Sequence, residues 1–164
     1  FSPAMVALAR ERARRLGLAV DFHLQDLRKH EEAPASLDAV LFSFDVYSFI
    51  PGRAGRIGLL ERMAGWLKPA GALLLSARQA RGPYDRLVVT LQCLSVARRE
   101  ERQWGASHTR WIAPDGTLHR SFVKVFTEGT LRRELKRAGF SAGPWQSGHL
   151  VARRRRGRPL AGLV

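Results

Sequence analysis

The sequence holds one cysteine, Cys93, which excludes an internal disulfide framework and any cysteine-built zinc site within one chain. A lone cysteine reads as a small buried apolar residue rather than a reactive thiol. Histidine, aspartate and glutamate are nowhere clustered at metal-ligand spacing, so no metal is expected. No apolar run approaches the roughly 18 residues that a membrane span needs. The start, Phe1-Ser2-Pro3-Ala4, turns Arg-rich instead of apolar and so does not read as a signal peptide. An initiator Met is missing too, and the chain reads as beginning partway through something longer. Nucleophile elbow and phosphate loop are both absent. These gaps leave a soluble domain in a reducing, cytoplasmic setting as the expectation.

What is present in quantity is arginine. The 164 residues carry 24 Arg against 4 Lys and a net charge of +14. A charge of that size is compatible with a polyanionic partner such as RNA. In a chain rich in Ala and Gly, however, the preference for Arg over Lys is what a GC-rich genome produces whatever the function. The arginines are spread over several helix faces, and base-stacking aromatics at regular spacing are missing. Nucleic acid is therefore not the favoured partner. The densest run, Arg153 to Arg156 with Arg158, reads as a solvated basic tail over 153–164.

Hydrophobic residues at 45% and charged residues at 26% are ordinary for a folded domain of one core. Ser2-Pro3 is a helix start, with Ser as cap and Pro at the first position. Met5, Leu8, Ala9, Ala13 and Leu16 then share one helical face, and Gly17 ends it. Leu18 to Leu24 alternates as a strand does, and Arg28 to Ser36, polar with one Pro, reads as a loop or a poor helix. The near-continuous apolar run Leu37 to Phe44 predicts a central parallel strand buried on both faces. A helix over Ala54–Leu67, a break at Lys68-Pro69-Ala70-Gly71 and a buried strand over Ala72–Ala77 follow. Strands alternating with helices predict a doubly wound α/β sheet.

After Arg78 the pattern changes. Tyr84 to Val96 reads as helix, and extended runs at His108–Ile112 and Leu118–Phe126 flank Pro114-Asp115-Gly116, a hairpin signal. Thr127 caps a helix over Glu128–Ala138, whose Leu131, Leu135 and Ala138 face inward, and His149–Arg153 predicts a last strand. Residues 79–126 thus read as a substrate-side insertion on a domain spanning 1–152.

In this order the segments resemble the class I S-adenosylmethionine-dependent methyltransferases. Phe1-Ser2-Pro3-Ala4-Met5 resembles the start of the helix after that family's second strand, and Asp26-Leu27 the acidic-apolar pair ending the third. Leu37 to Phe44 resembles the fourth strand, Leu67-Lys68-Pro69-Ala70-Gly71 with Ala72 to Leu75 the turn into the fifth, and Arg137-Ala138-Gly139-Phe140 the end of the last helix. The hairpin insertion is similar to that of small-molecule methyltransferases. The resemblance implies a Rossmann-like doubly wound sheet, incomplete at the N-terminus, with an inserted antiparallel β-hairpin. It implies S-adenosylmethionine as cofactor, and a small-molecule N, O or C nucleophile as methyl acceptor. Met5 would pack on the adenine, Asp26 would accept from its amino group, Leu27 would contact the ring, and Ser43 and Phe44 would line the methionine part. The family's glycine-rich loop is not found here, and the acidic residue for the ribose would fall just before Phe1, so a strand-helix-strand unit is expected to precede this chain.

Methyl transfer from a sulfonium neutralises charge, so positioning supplies most of the catalysis, and a general base is needed only for a protonated nucleophile. Asp45, Tyr47 and His108 are the candidate catalytic residues, with His119 a further histidine on the insertion. Tyr47, Phe49, Tyr84, Trp104 and Trp111 are candidate walls of an apolar substrate pocket. Two other readings stand beside this one: an RNA or protein methyltransferase using the basic surface, and a truncated, non-catalytic Rossmann-like binding module.

Overall fold

The computed structural model describes residues 2–93, 104–146 and 148–155. The chain divides into two compact units, Phe1–Glu32 and Ala33–Val164. The first consists of helix α1 (Pro3–Arg15) and an irregular return. Ser2 caps α1 by accepting from the Met5 N–H, with Pro3 at the first helical position, as the sequence predicts. Arg10 donates to the Phe22 carbonyl at 2.6 Å and pins the return to the helix. The strand expected over Leu18–Leu24 does not form. That segment has no partner strand among the described residues, and alternation alone cannot satisfy a row of backbone donors and acceptors.

The second unit holds β1 (Leu37–Phe42), a 3₁₀ turn (Val46–Phe49), α2 (Arg53–Trp66), β2 (Leu67–Ser76), α3 (Pro83–Cys93), β3 (Ala106–Ile112), β4 (Leu118–Lys124), α4 (Glu128–Arg137), β5 (Phe140–Gln146) and β6 (His149–Arg154). Strands β1 and β2 pair in parallel across the α2 crossover. Strand β6 then pairs antiparallel with both β2 and β5, giving a four-stranded sheet in the order β1-β2-β6-β5. The fold is Rossmann-like α/β with a mixed sheet. Helices α2 and α4 contact each other and the sheet, and their Leu59, Leu60, Met63, Leu131 and Leu135 close the core over Leu73, Leu75, Phe140 and Leu150.

Three strand boundaries depart from expectation. Among the described residues strand β1 pairs with β2 alone, and Leu41 is 65% exposed. An apolar run reads the same whether one face is covered or two. Strand β2 begins at Leu67, directly after α2, and the expected break is a bulge inside it: pairing jumps from Leu37–Leu67 to Ala39–Ala72. Strand β5 carries Gly143 and Pro144, which argue against a strand. It lies at an edge, with a register shift between Ala142 and Trp145, where a missing N–H breaks no ladder. Arg132 fixes that bulge by donating to the Ala142 and Gly143 carbonyls at 2.8 and 2.7 Å.

The hairpin β3–β4 forms as predicted, as its own two-stranded sheet. Asp115 accepts from the Thr117 N–H and Gly116 takes a positive φ in the turn. Its base depends on Gly105 (φ +88), because a Cβ there would meet the Val125 carbonyl oxygen at 2.0 Å. The helix expected to reach Val96 runs to Cys93. Residues 94–96, the Cys93 side chain and 156–164 of the basic tail lie outside the described residues. Arg153 and Arg154 belong to β6.

Beneath the sheet edge lies a buried ionic cluster. Glu134 of α4 accepts from Arg56 Nε at 3.0 Å and Nη2 at 2.8 Å, and from the Tyr47 hydroxyl at 2.7 Å. All three side chains are excluded from solvent. Removing one partner of such a pair strands a buried charge, whereas replacing both with apolar groups does not. Glu134→Ala should therefore cost about 3–5 kcal/mol in urea unfolding, while the triple variant Y47F/R56M/E134L, which leaves neither a buried charge nor the Tyr47 hydroxyl unpaired, should stay near the parent.

Candidate functional site

In open α/β sheets ligands collect beyond the carboxyl ends of the parallel strands. Here those ends belong to β1 and β2, and the loops that leave them are tied to each other. Ser76 Oγ accepts from the Asp45 N–H at 2.9 Å, and Ser48 Oγ accepts from the Arg78 N–H at 2.8 Å. Both serines are buried, so two neutral bonds lock the loop after one strand to the loop after the next.

The locked loop is strained. Phe44 and Asp45 have φ of +55 and +56, consecutive left-handed residues of which neither is glycine. Such conformations cost roughly 1–3 kcal/mol each and persist where the surroundings over-determine them. Over-determination comes from the Ser76 bond on one side and from the 3₁₀ turn on the other, where Tyr47 is anchored to Glu134. The result is a Phe44 ring 89% exposed to solvent. Ser43 and Asp45 are half-buried beside it, and the Asp45 carboxylate has no hydrogen-bond or ion-pair partner among the described residues. A second unfulfilled group follows β2. The Gln79 side-chain amide nitrogen is buried without a partner, where Gln79 bridges Phe126 in a single parallel pairing. An unmet buried donor costs about 1–3 kcal/mol. The sequence reading overlooked Ser76 and Gln79, neither of which carries any motif signal.

Tyr47 lies in the core. Its ring packs on Phe42 and Phe126 with zero exposure, and its hydroxyl is committed to Glu134. Burial, and then the Glu134 charge, push the phenol well above its ordinary range. His108 is half-buried on β3, edge-on to Phe122. Its Nδ1 lies 3.1 Å from Arg120 Nη2; because a guanidinium only donates, Nδ1 is the acceptor. His119 stacks on Trp111 at 4.3 Å. Of the other candidate pocket walls, Phe49, Tyr84 and Trp111 are exposed, and Trp104 donates its indole N–H to Thr90.

The first unit carries the remaining candidates. Met5 is 62% exposed and lines an open groove of about 540 Å³ with Leu8, Ala9, Arg12, Arg15 and Leu16. The helical face predicted to be apolar is therefore the groove wall, with only Ala13 buried. Asp26 anchors the turn that includes Leu27: its carboxylate accepts from the Arg28 N–H at 2.9 Å and from the guanidinium at 2.7–3.1 Å. The Arg28 side-chain bonds, then its backbone bond, hold the Asp26 carboxyl at about 2.

A strand-helix-strand crossover, with strained, unpaired polar groups at its carboxyl edge, gives a Rossmann-like α/β domain. Residues 1–71 match the family model described as a methyltransferase domain. No curated protein sequence matches the chain. Its fold matches a SAM-dependent methyltransferase from Methanosarcina mazei with a TM-score of 0.73 at 16% identity, covering 94% of this chain and 79% of that one. It also matches an amino pentose methyltransferase from Micromonospora echinaspora (TM-score 0.58, 22% identity, 94% and 71% covered). A sugar N-methyltransferase from a Streptoalloteichus species gives 0.60 at 16% identity, with 94% and 69% covered. Over residues 1–71 the chain is thus similar in sequence to a methyltransferase domain, and over most of its length it shares the fold of S-adenosylmethionine-dependent methyltransferases.

Two measurements check the local physics. The Asp26 carboxyl should titrate by NMR near 2, and Arg28→Ala should return it toward 3.8. A depressed carboxyl stabilises the fold above its unfolded value, so this contribution should fade as pH falls from 3.8 through about 2. Phe44→Gly removes an exposed ring and relieves a left-handed backbone, so urea stability should hold or rise by about 1 kcal/mol. An ordinary exposed Phe→Gly change would instead lower it.

Proposed function

We propose that this methyltransferase transfers the methyl group to an N, O or C nucleophile of a small molecule, and that the carboxyl-edge loops of β1 and β2 receive the reacting groups. The observation that carries this reading is the strained Ser43–Asp45 loop, which presents an exposed aromatic ring and an unpaired carboxylate side by side. Exposed apolar side chains, Met5 in the first unit and Phe44 in the second, each suit uncharged parts of the cofactor. No glycine-rich strand-to-helix turn occurs among the described residues, so these side chains, not a cradle of backbone N–H groups, carry the assignment. Met5, Asp26, Leu27, Ser43 and Phe44 are the residues assigned to it.

When bound, S-adenosylmethionine supplies a methyl group on a positively charged sulfur. The chain's contribution is to orient and to exclude water. Ser43 and Phe44 are fixed by backbone constraints, so little conformational entropy remains to be lost on binding. Asp45 holds a cationic amine, or takes the proton from a nucleophile that arrives protonated. Its carboxylate needs no release from another partner to do so. His108 is less suited, because Nδ1 already accepts from Arg120.

The sugar-modifying and amino pentose-modifying enzymes that share the fold support a small acceptor. Calorimetric titration with S-adenosylmethionine tests the reading directly. Phe44→Ala should weaken binding about tenfold, as loss of one aromatic face does. Asp45→Asn should leave cofactor affinity within about twofold while abolishing most turnover of a protonated acceptor, a loss of about 10²-fold or more. Failure of S-adenosylmethionine to bind the parent protein would sink the proposal.

A further inference from the structure

The hairpin β3–β4 sets Arg110 directly opposite Arg120. Directly opposed residues on one face stand with Cβ atoms about 4.5–5.5 Å apart, and like charges there are destabilising. Both arginines are exposed, and neither has a carboxylate partner among the described residues. The one acidic residue in Ala106–Lys124 is Asp115, and its carboxylate is held in the turn by the Thr117 N–H, which lowers its pKa. The ribbon therefore concentrates cations with nothing on it to neutralise them. Arg120 also contacts His108 Nδ1, which orients its guanidinium on that face. The next pair along the same face is Ile112–Leu118, with both side chains exposed (70% and 62%). Two arginines on one face next to two uncovered aliphatic side chains offer both charge and apolar cover to an oxyanion attached to an apolar body.

We propose that Arg110 and Arg120 form an oxyanion site for the methyl acceptor, which then carries a carboxylate or phosphate group on an otherwise apolar small molecule. The assignment of this anion to an acceptor rests on the methyltransferase reading above; the oxyanion site itself does not. Bringing the anion between the two guanidiniums converts a like-charge repulsion into two charge-assisted contacts. Ile112 and Leu118 cover the apolar part. Arg110 and Arg120 would thus decide which acceptors bind, without taking part in proton transfer.

Inorganic phosphate is the probe, and the Arg side-chain Nε–H resonances of the full chain are the readout, with chloride at matched ionic strength as the control. Phosphate should shift Arg110 and Arg120 saturably and raise the melting temperature, and chloride should do neither. R110Q or R120Q should weaken the phosphate response about tenfold, the scale of one charge-assisted hydrogen bond. The double variant should lose it. Each single variant should melt at or above the parent in the absence of phosphate, because the repulsion is gone; a purely structural pair would melt lower. Equal responses to phosphate and chloride, or a phosphate response that survives in the double variant, would overturn the site. A uridine oligonucleotide that outcompetes phosphate, loses affinity steeply with salt and fails on the double variant would overturn the small acceptor in favour of a nucleic-acid backbone. Phosphate binding without S-adenosylmethionine binding would keep the oxyanion site and remove the methyltransferase reading instead.

Discussion

The second unit is organised around one carboxylate that ought to be in water. Glu134 sits on α4 with its charge wholly excluded from solvent, answered by a two-nitrogen fork from Arg56 on α2 and by the hydroxyl of Tyr47 in the 3₁₀ turn. An ionised pair at this depth brings no guarantee of stability, since desolvating both ions costs several kcal/mol each. What it brings is selectivity of arrangement. Two helices and a turn, distant in sequence, must meet in one geometry or leave a charge stranded. Arg56 also donates to the Ile50 carbonyl and lies over the Phe126 ring, so one guanidinium addresses the turn, the helix and the segment that follows the hairpin.

That geometry reaches the site through covalent connection. Tyr47 is two residues from Asp45, and with the ring locked in the core the chain between them has little freedom. Ser76 holds the Asp45 N–H from the other side. The left-handed residues Phe44 and Asp45 join the end of β1 to that anchored turn, and the exposed ring and unpaired carboxylate lie on this stretch. For a reaction in which charge is neutralised and orientation dominates the barrier, a loop that cannot relax is a sound place for contact groups.

The parts of the fold written in local chemistry were legible. Ser2-Pro3, Thr127 and Asp115-Gly116 each act through neighbours within a few residues, and α1, α4 and the hairpin formed where they pointed. What depended on partners far along the chain was not. Leu18–Leu24 alternates correctly and still forms no strand, and β5 is a strand in spite of Gly143 and Pro144. The burial of Tyr47 was illegible for the same reason: its hydroxyl bonds to a glutamate 87 positions away. A signal did exist: Glu134 lies on the same helical face as Leu131, Leu135 and Ala138, and a charge on an inward face requires a partner.

The net charge of +14 becomes informative only once the arginines are sorted by what they touch. Several are structural donors to backbone carbonyls: Arg10 to Phe22, Arg132 to Ala142 and Gly143, Arg153 to Ala70. Others neutralise carboxylates, as Arg28 does Asp26 and Arg56 does Glu134. A guanidinium is suited to both tasks, because its donors are fixed in a plane and its charge never titrates away. Arginines used this way say nothing about a polyanion, however many there are. The residues that carry information are those whose charge is placed where the fold itself is made worse by it. On the hairpin, two arginines face each other across a ladder that either could have left by a single register step. An excess of one charge spread over a surface speaks of composition; the same charge opposed at fixed geometry speaks of a ligand.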